Sequence, residues 1–351
     1  AVPSRHSSPY SASDWTMDQG KGRGVLKEVF MLILTESGLF ANDTGTRELP
    51  VARSWLDHAR CISEGEQTDA AVASDGEIVL FRGGRELERL VVGIAEPIES
   101  VLVCEAPLPC LFLGTEGARL YCLPAGDAGA HPVSSFDDLP CRESWYTPWG
   151  GPPAVRSLAA APDGCIYADV HVGSIMCSSD HGVTWRAATP TLNEDVHEVA
   201  TCPAAADRVY ANTAHAVYIS EDRGNSWTYR GEQLGGRYGR AIAVHPRNPA
   251  RLLATVSDGP HGENVHGQLF VSSDFGLTWQ HVEDGFPAST HENIDTFQAA
   301  ISPDGAGWAA VGRRLYRSPN PHGRWDVFWE APAKITALSC REMASTDGAA
   351  R

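Results

Sequence analysis

The chain has 351 residues, 42% of them hydrophobic and 21% charged, enough to bury a large core as one big domain or two ordinary ones. Its formal charge of −16 opposes a nucleic-acid backbone or an anionic membrane surface as the main partner. The best apolar run, Val29 to Phe40, is too short for a transmembrane helix and is interrupted by Glu36.

In chain order, residues 1–26 hold no apolar stretch of the kind a secretory signal needs. The segment VFMLILTESGLFAND then reads as two strands around a turn, with no strand before them. Two further strand–turn–strand passages begin at Thr68 and Glu99. ESWYTPWGGPP (Glu143 to Pro153) is a Gly/Pro-rich loop carrying Trp145, Tyr146 and Trp149. From Val155 onward, pairs of short strands flank one turn four times over, and helical periodicity is missing. AKITALSC (Ala333 to Cys340) reads as a strand with no successor. The nine cysteines show no C-x-x-C spacing and several sit in apolar strand-like runs, so reduced, buried thiols and a cytoplasmic protein are expected.

One motif recurs through the second half. SSDHGVTW (Ser178 to Trp185) returns as SEDRGNSW (Ser220 to Trp227) and SSDFGLTW (Ser272 to Trp279), and SPNPHGRW (Ser318 to Trp325) is a degraded copy. The Asp positions are 42 and 52 residues apart, and Asn320 follows after another 46, a period that suits a four-stranded propeller blade. In each copy the Asp is placed to accept hydrogen bonds from the turn, the Gly to take positive φ, and the Trp to cover the hairpin.

This S-x-D-x-G-x-[ST]-W pattern resembles the Asp-box (BNR) repeat of sialidases, sortilin-type receptors, some glucanases and photosystem assembly factors. The resemblance implies an all-β fold, a β-propeller of four-stranded antiparallel blades, with the Asp-boxes on the rim away from the active face. The strand count predicts about seven blades within a single domain at 27–342, flanked by loose segments at 1–26 and 343–351. Pairing the orphan strands at the two ends would close the ring and remove its exposed edges.

In such a ring the loops joining second to third strands, and those joining one blade to the next, share one face. That face is expected to receive His171, His197, His215, His261, His266 and His291, candidate ligands for Zn, Cu, Mn or Fe. Glu194, Asp195, Glu263, Glu292 and Asp295 are candidate ligands or outer partners. Arg156 and Arg240 stand six residues before Pro162 and Pro246, as His197 does before Pro203, so the three side chains are expected at similar heights around the channel. With Arg237, Tyr238 and Trp149 they form a candidate anion-binding set, near Arg313 and Arg314; strand-start arginines paired with carboxylates of the next blade are the plainer alternative. His181, His245, His281 and His322 are expected on the outer or lower surface without a role.

The functional expectation is a propeller that binds a small anionic molecule at a His/Arg-lined mouth, with divalent-metal hydrolase or lyase chemistry as its sharper form and no catalytic residue assigned. An assembly-factor scaffold with a protein partner, or a glycoside hydrolase, are the alternatives. Sialidase activity is disfavoured because no F/Y-R-I-P signature precedes the repeats, although Arg237, Tyr238 and Arg240 supply some of the residue types it needs.

Overall fold

The computed structural model describes residues 29–43, 51–53, 59–73, 76–82, 85–188, 191–261 and 264–342; the segments expected to be loose, 1–26 and 343–351, lie outside them. Seven four-stranded antiparallel sheets are arranged as blades. In blade 1 the C-terminal strand Ile335–Glu342 is followed outward by Val29–Thr35, Gly38–Asp43 and Val51–Arg53. The two orphan strands of the sequence are thus partners, paired from Val29↔Glu342 to Leu34↔Ala337. Blades 2 to 7 each run in simple chain order, with first strands Ala59–Ser63, Ile98–Cys104, Val155–Ala160, Val196–Cys202, Tyr238–His245 and Ala299–Ile301. These first strands neighbour one another around the hub. Closure leaves only short edges, protected around the channel.

The core is a succession of layers between blades, because alternate residues of each strand face opposite neighbours. Leu111, Leu113 and Leu123 of blade 3 pack on Ala70, Val72 and Ile78 of blade 2. Their alternates Phe112 and Leu120 meet Ile166, Ala168 and Met176 of blade 4. The composite blade is held on both sides: Leu32, Leu34 and Ala337 face blade 2, while Met31, Ile33 and Leu338 face blade 7. Arg341, on the closing strand, also grips the fully buried Asp69 of blade 2 through Nε and Nη2, at 3.1 and 3.0 Å.

The three full repeats share one geometry. Asp180, Asp222 and Asp274 each accept from the backbone N–H four residues on, at 2.7 to 2.8 Å, and from the hydroxyl of that same residue at 2.6 Å. The Ser two residues earlier donates to the Asp and accepts from the Gly N–H at 2.8 to 2.9 Å. Two successive residues take positive φ in every copy, His181–Gly182, Arg223–Gly224 and Phe275–Gly276, so glycine relieves the strain at the second. The indoles do more than cover their hairpins. Trp185 is wedged between blades 3 and 4, edge-on to Phe136 at 5.2 Å, and its Nε1 donates to the Gly182 carbonyl.

Candidate metal centre at the channel mouth

The first strands carry a common irregularity. Register shifts interrupt their pairing at Arg60, Glu99, Arg156, His197, Arg240 with Ala241, and Thr336, in six of the seven blades. A bulge inserts an unpaired residue and re-aims its side chain, here at one height around the hub. Arg60, Glu99, Arg156 and Thr336 line a cleft of about 320 Å³ there, together with Asp295 and Lys334 of the blade-joining loops. The equal offset of Arg156, His197 and Arg240 from a following proline is the sequence trace of this feature. The bulges themselves leave no such trace in blades 2 and 3.

Beside the cleft, His171 from the turn between the second and third strands of blade 4 meets Asp195 and His197, which enter blade 5. One ligand atom from each lies within 4.8 Å of the others, the one such His/Cys/Asp/Glu group among the described residues. Asp195 Oδ1 is 3.4 Å from His171 Nε2 and 3.3 Å from His197 Nε2. That oxygen is buried and has no hydrogen-bond partner.

The surroundings fix the donor set. His197 Nδ1 is 2.6 Å from the carbonyl oxygen of Gly239, which only accepts, so Nδ1 carries the proton and Nε2 the lone pair. Glycine is needed at 239, because a Cβ would stand 1.7 Å from Asn212 Oδ1. Asn212 in turn donates to the carbonyls of Ala241 and Thr255, bracing the bulge of blade 6. Tyr238 Oη lies 3.1 Å from His197 Nε2, and the Trp149 ring is 4.8 Å from that of His171.

Electrostatics favour neutral imidazoles. Burial lowers both histidines below their ordinary range, and the cations of Arg156 and Arg240 act in the same direction. Burial raises the Asp195 carboxyl, and the opposing pull of His171 and His197 requires a proton on the nitrogens that face it, so that pull belongs to the protonated imidazoles. Deeper in the hub, burial drives Asp169 well above the carboxylate range and pushes Glu198 up to about 8. Glu198 Oε2 accepts from the N–H groups of Ile242 and Phe297.

Two of the six histidines expected at this site reach it, and Asp195 joins them. His215 is tied to its own blade, stacked on Tyr229 at 4.9 Å with Nδ1 3.1 Å from Tyr218 Oη. His266 is held by Asp258 at 2.7 Å and by Asn264, on an insertion that pairs with the loop at Thr290. His261 and His291 are exposed on those two loops and fall outside the group. Glu263 lies outside the described residues, and Glu292 pairs with Lys334 at 2.6 Å. Among the arginines, Arg240 pairs with Asp295 of the next blade at 3.4 Å and donates to the Pro260 carbonyl, the plainer alternative for a strand-start arginine. Arg156 differs: its Nη1 is buried without a hydrogen-bond partner. Arg237 is exposed, and Arg313 donates to the Ala331 carbonyl. Trp149 stands 62% exposed above His171, whereas Trp145 is buried against Phe136.

A profile for the family "Sortilin-Vps10: Sortilin, neurotensin receptor 3" matches residues 173–298, which contain the three full repeats. A search of curated proteins gives no match. Solved structures that resemble the chain include an ancestral GH74 enzyme (14% identity, TM-score 0.56, 81% of this chain and 38% of that one). The GH74 xyloglucanase of Xanthomonas campestris is similar at 14% identity and TM-score 0.56, over 86% of this chain and 46% of that one. YCF48 from Cyanidioschyzon merolae is similar at 12% identity and TM-score 0.56, over 82% of this chain and 94% of that one. The chain therefore spans less than half the length of either GH74 enzyme, and likeness at these identities concerns the fold. Blades and repeats together make this chain a seven-bladed β-propeller with Asp-box-like turns, and the stretch that carries those turns is the one similar to the sortilin family. No helix among the described residues is long and apolar enough to cross a membrane.

Proposed function

We propose that the chain binds one divalent transition metal through His171 Nε2, His197 Nε2 and Asp195 Oδ1, and a small anionic molecule beside it at the channel mouth. The observation that supports this is the unsatisfied, buried Asp195 oxygen between two imidazole nitrogens, one of them held in its lone-pair form by the Gly239 carbonyl. A carboxylate oxygen without a hydrogen bond and imidazole nitrogens that face it offer a cation its donors, with the Tyr238 hydroxyl beside His197 Nε2 as the competing partner. Two histidines and one carboxylate suit Zn, Fe or Mn with positions left open. A bound metal of this kind polarises a ligand oxygen or lowers the pKa of water.

The chain's own residues then divide the remaining work. Arg156 lines the cleft and brings its guanidinium charge to an anion there, and Tyr238 holds a hydroxyl next to the metal ligands. Trp149 gives an exposed ring face above His171 for an apolar part of the ligand. Hydrolysis or elimination on an anionic substrate is the chemistry this set serves; a protein-binding scaffold needs none of it.

The test is metal analysis of untagged protein, followed by thermal melts with Zn, Mn or Fe(II). One metal per chain and a stabilisation of about 2.7 kcal/mol at a hundredfold excess over Kd are expected. His171→Ala and Asp195→Asn should remove both effects, while Arg156→Leu should keep the metal and weaken binding of phosphate or carboxylate probes about tenfold. Background metal content together with unchanged melting in every metal would refute the proposal.

A further inference from the structure

A row of side chains with soft-metal affinity lies on blade 3, remote in sequence from the centre above. Cys104 on the first strand stands directly opposite Cys110 on the second. On the third strand Cys122 stands opposite Phe112, two residues beyond Cys110 and therefore on the same face. His131 on the outer strand stands directly opposite Cys122. Three thiols and one imidazole thus form a row across all four strands of one blade. Residues directly opposite one another bring their Cβ atoms to about 5 Å, so Cys110 and Cys104 can share one ion. All three are free and half-buried, open to solvent on one side and packed on the other against the layer between blades 3 and 4.

The shape of the row selects the ion. A tetrahedral Zn site needs donors on four sides of the metal, whereas one sheet face presents its donors in a line. Thiolate sulfur is a soft donor that favours Cu(I), and a low coordination number fits neighbouring sulfurs on a flat surface. His131 Nε2 is 3.1 Å from Asp127 Oδ2 at the exposed end of the row. Apolar packing explains the layer side of the row. It does not account for three thiols placed together at the half-exposed edge.

We propose that blade 3 carries a thiophilic-metal site in which Cys110, with Cys104 or Cys122, binds a single cuprous ion through two sulfurs alone. Two thiols lose their protons to solvent, two Cu–S bonds form, and no electron moves.

The experiment uses the full, reduced chain under anaerobic conditions, with Cu(I) supplied in competition with bathocuproine disulfonate. One equivalent of Cu(I) retained with a thiolate-to-copper ultraviolet band is expected, and Cys110→Ser should weaken retention by about a hundredfold. His171→Ala should leave Cu(I) retention unchanged, which separates this site from the divalent centre. A measurement without variants covers a misfolded Cys110→Ser: Cu(I) should protect Cys110 and one of Cys104 and Cys122 in the native chain from iodoacetamide, read residue by residue by mass spectrometry. Equal retention by folded Cys110→Ser, or absence of protection at these three residues, would overturn the proposal.

Discussion

Replacing Asp222 by Ala in the second full repeat removes three hydrogen bonds to one carboxylate: from Ser226 N at 2.7 Å, Ser226 Oγ at 2.6 Å and Ser220 Oγ at 2.8 Å. Each would contribute about 1.5 kcal/mol or more if fully buried, but the turn is partly open and water replaces some of what is lost, so the net cost is about 2 kcal/mol. For a domain of this size that corresponds to a fall of about 3 °C in the melting midpoint. The fourth, degraded copy supplies the control. Asn320 Oδ1 accepts only from His322 N, at 3.3 Å, and the Ser318 hydroxyl reaches main-chain carbonyls that an alanine would leave in place. Asn320→Ala should therefore cost less than about 0.5 kcal/mol. Calorimetry at one scan rate, checked by urea midpoints, measures both variants. Equal shifts for Asp222→Ala and Asn320→Ala, or a shift below 1 °C for Asp222→Ala, would refute the view that the side-chain carboxylate staples these turns.

Closure of the ring should depend on Arg341. Its replacement by Met leaves Asp69 buried without its forked partner and should destabilise the protein by about 3 kcal/mol, read as a lower urea midpoint; an unchanged midpoint would mean that strand pairing alone closes the ring. Burial and the cations of Arg251 and Arg247 push His245 down to about 4, and its Nδ1 accepts from the Arg247 N–H, so the folded state needs the neutral ring. The unfolded chain binds this proton first. Stability from His245 is therefore complete above the unfolded value of about 6.5 and is lost as pH falls toward 4, about 3 kcal/mol in all. His245→Asn should flatten that part of the stability–pH curve, and a curve parallel to the parent's would count against the assignment.

The architecture was legible in the sequence because its cause is local and repeated. An Asp, a Gly and a Trp at fixed offsets build the same turn wherever they occur, so three good copies at blade spacing established the repeat, and the two strands without neighbours established how the ring closes. His171, His197, Arg156 and Arg240 could be assigned to one face for the same reason, since strand order determines which loops share it.

Which of those side chains meet is not a local property. His197 reaches Asp195 because the bulge at the head of its strand turns it toward the hub, and its nitrogen is chosen by the Gly239 carbonyl of the next blade. His215 shares the face, yet stacking on Tyr229 of its own blade draws it away. Likewise no spacing along the chain joins Cys104, Cys110, Cys122 and His131; the registers of three strand pairs do so. The sequence by itself determined the wheel and the side of it on which chemistry can occur. Contacts between blades, and the inserted residues that aim side chains across them, decided the composition of the sites, because a side chain's partner depends on its direction in space and a repeat specifies only its position.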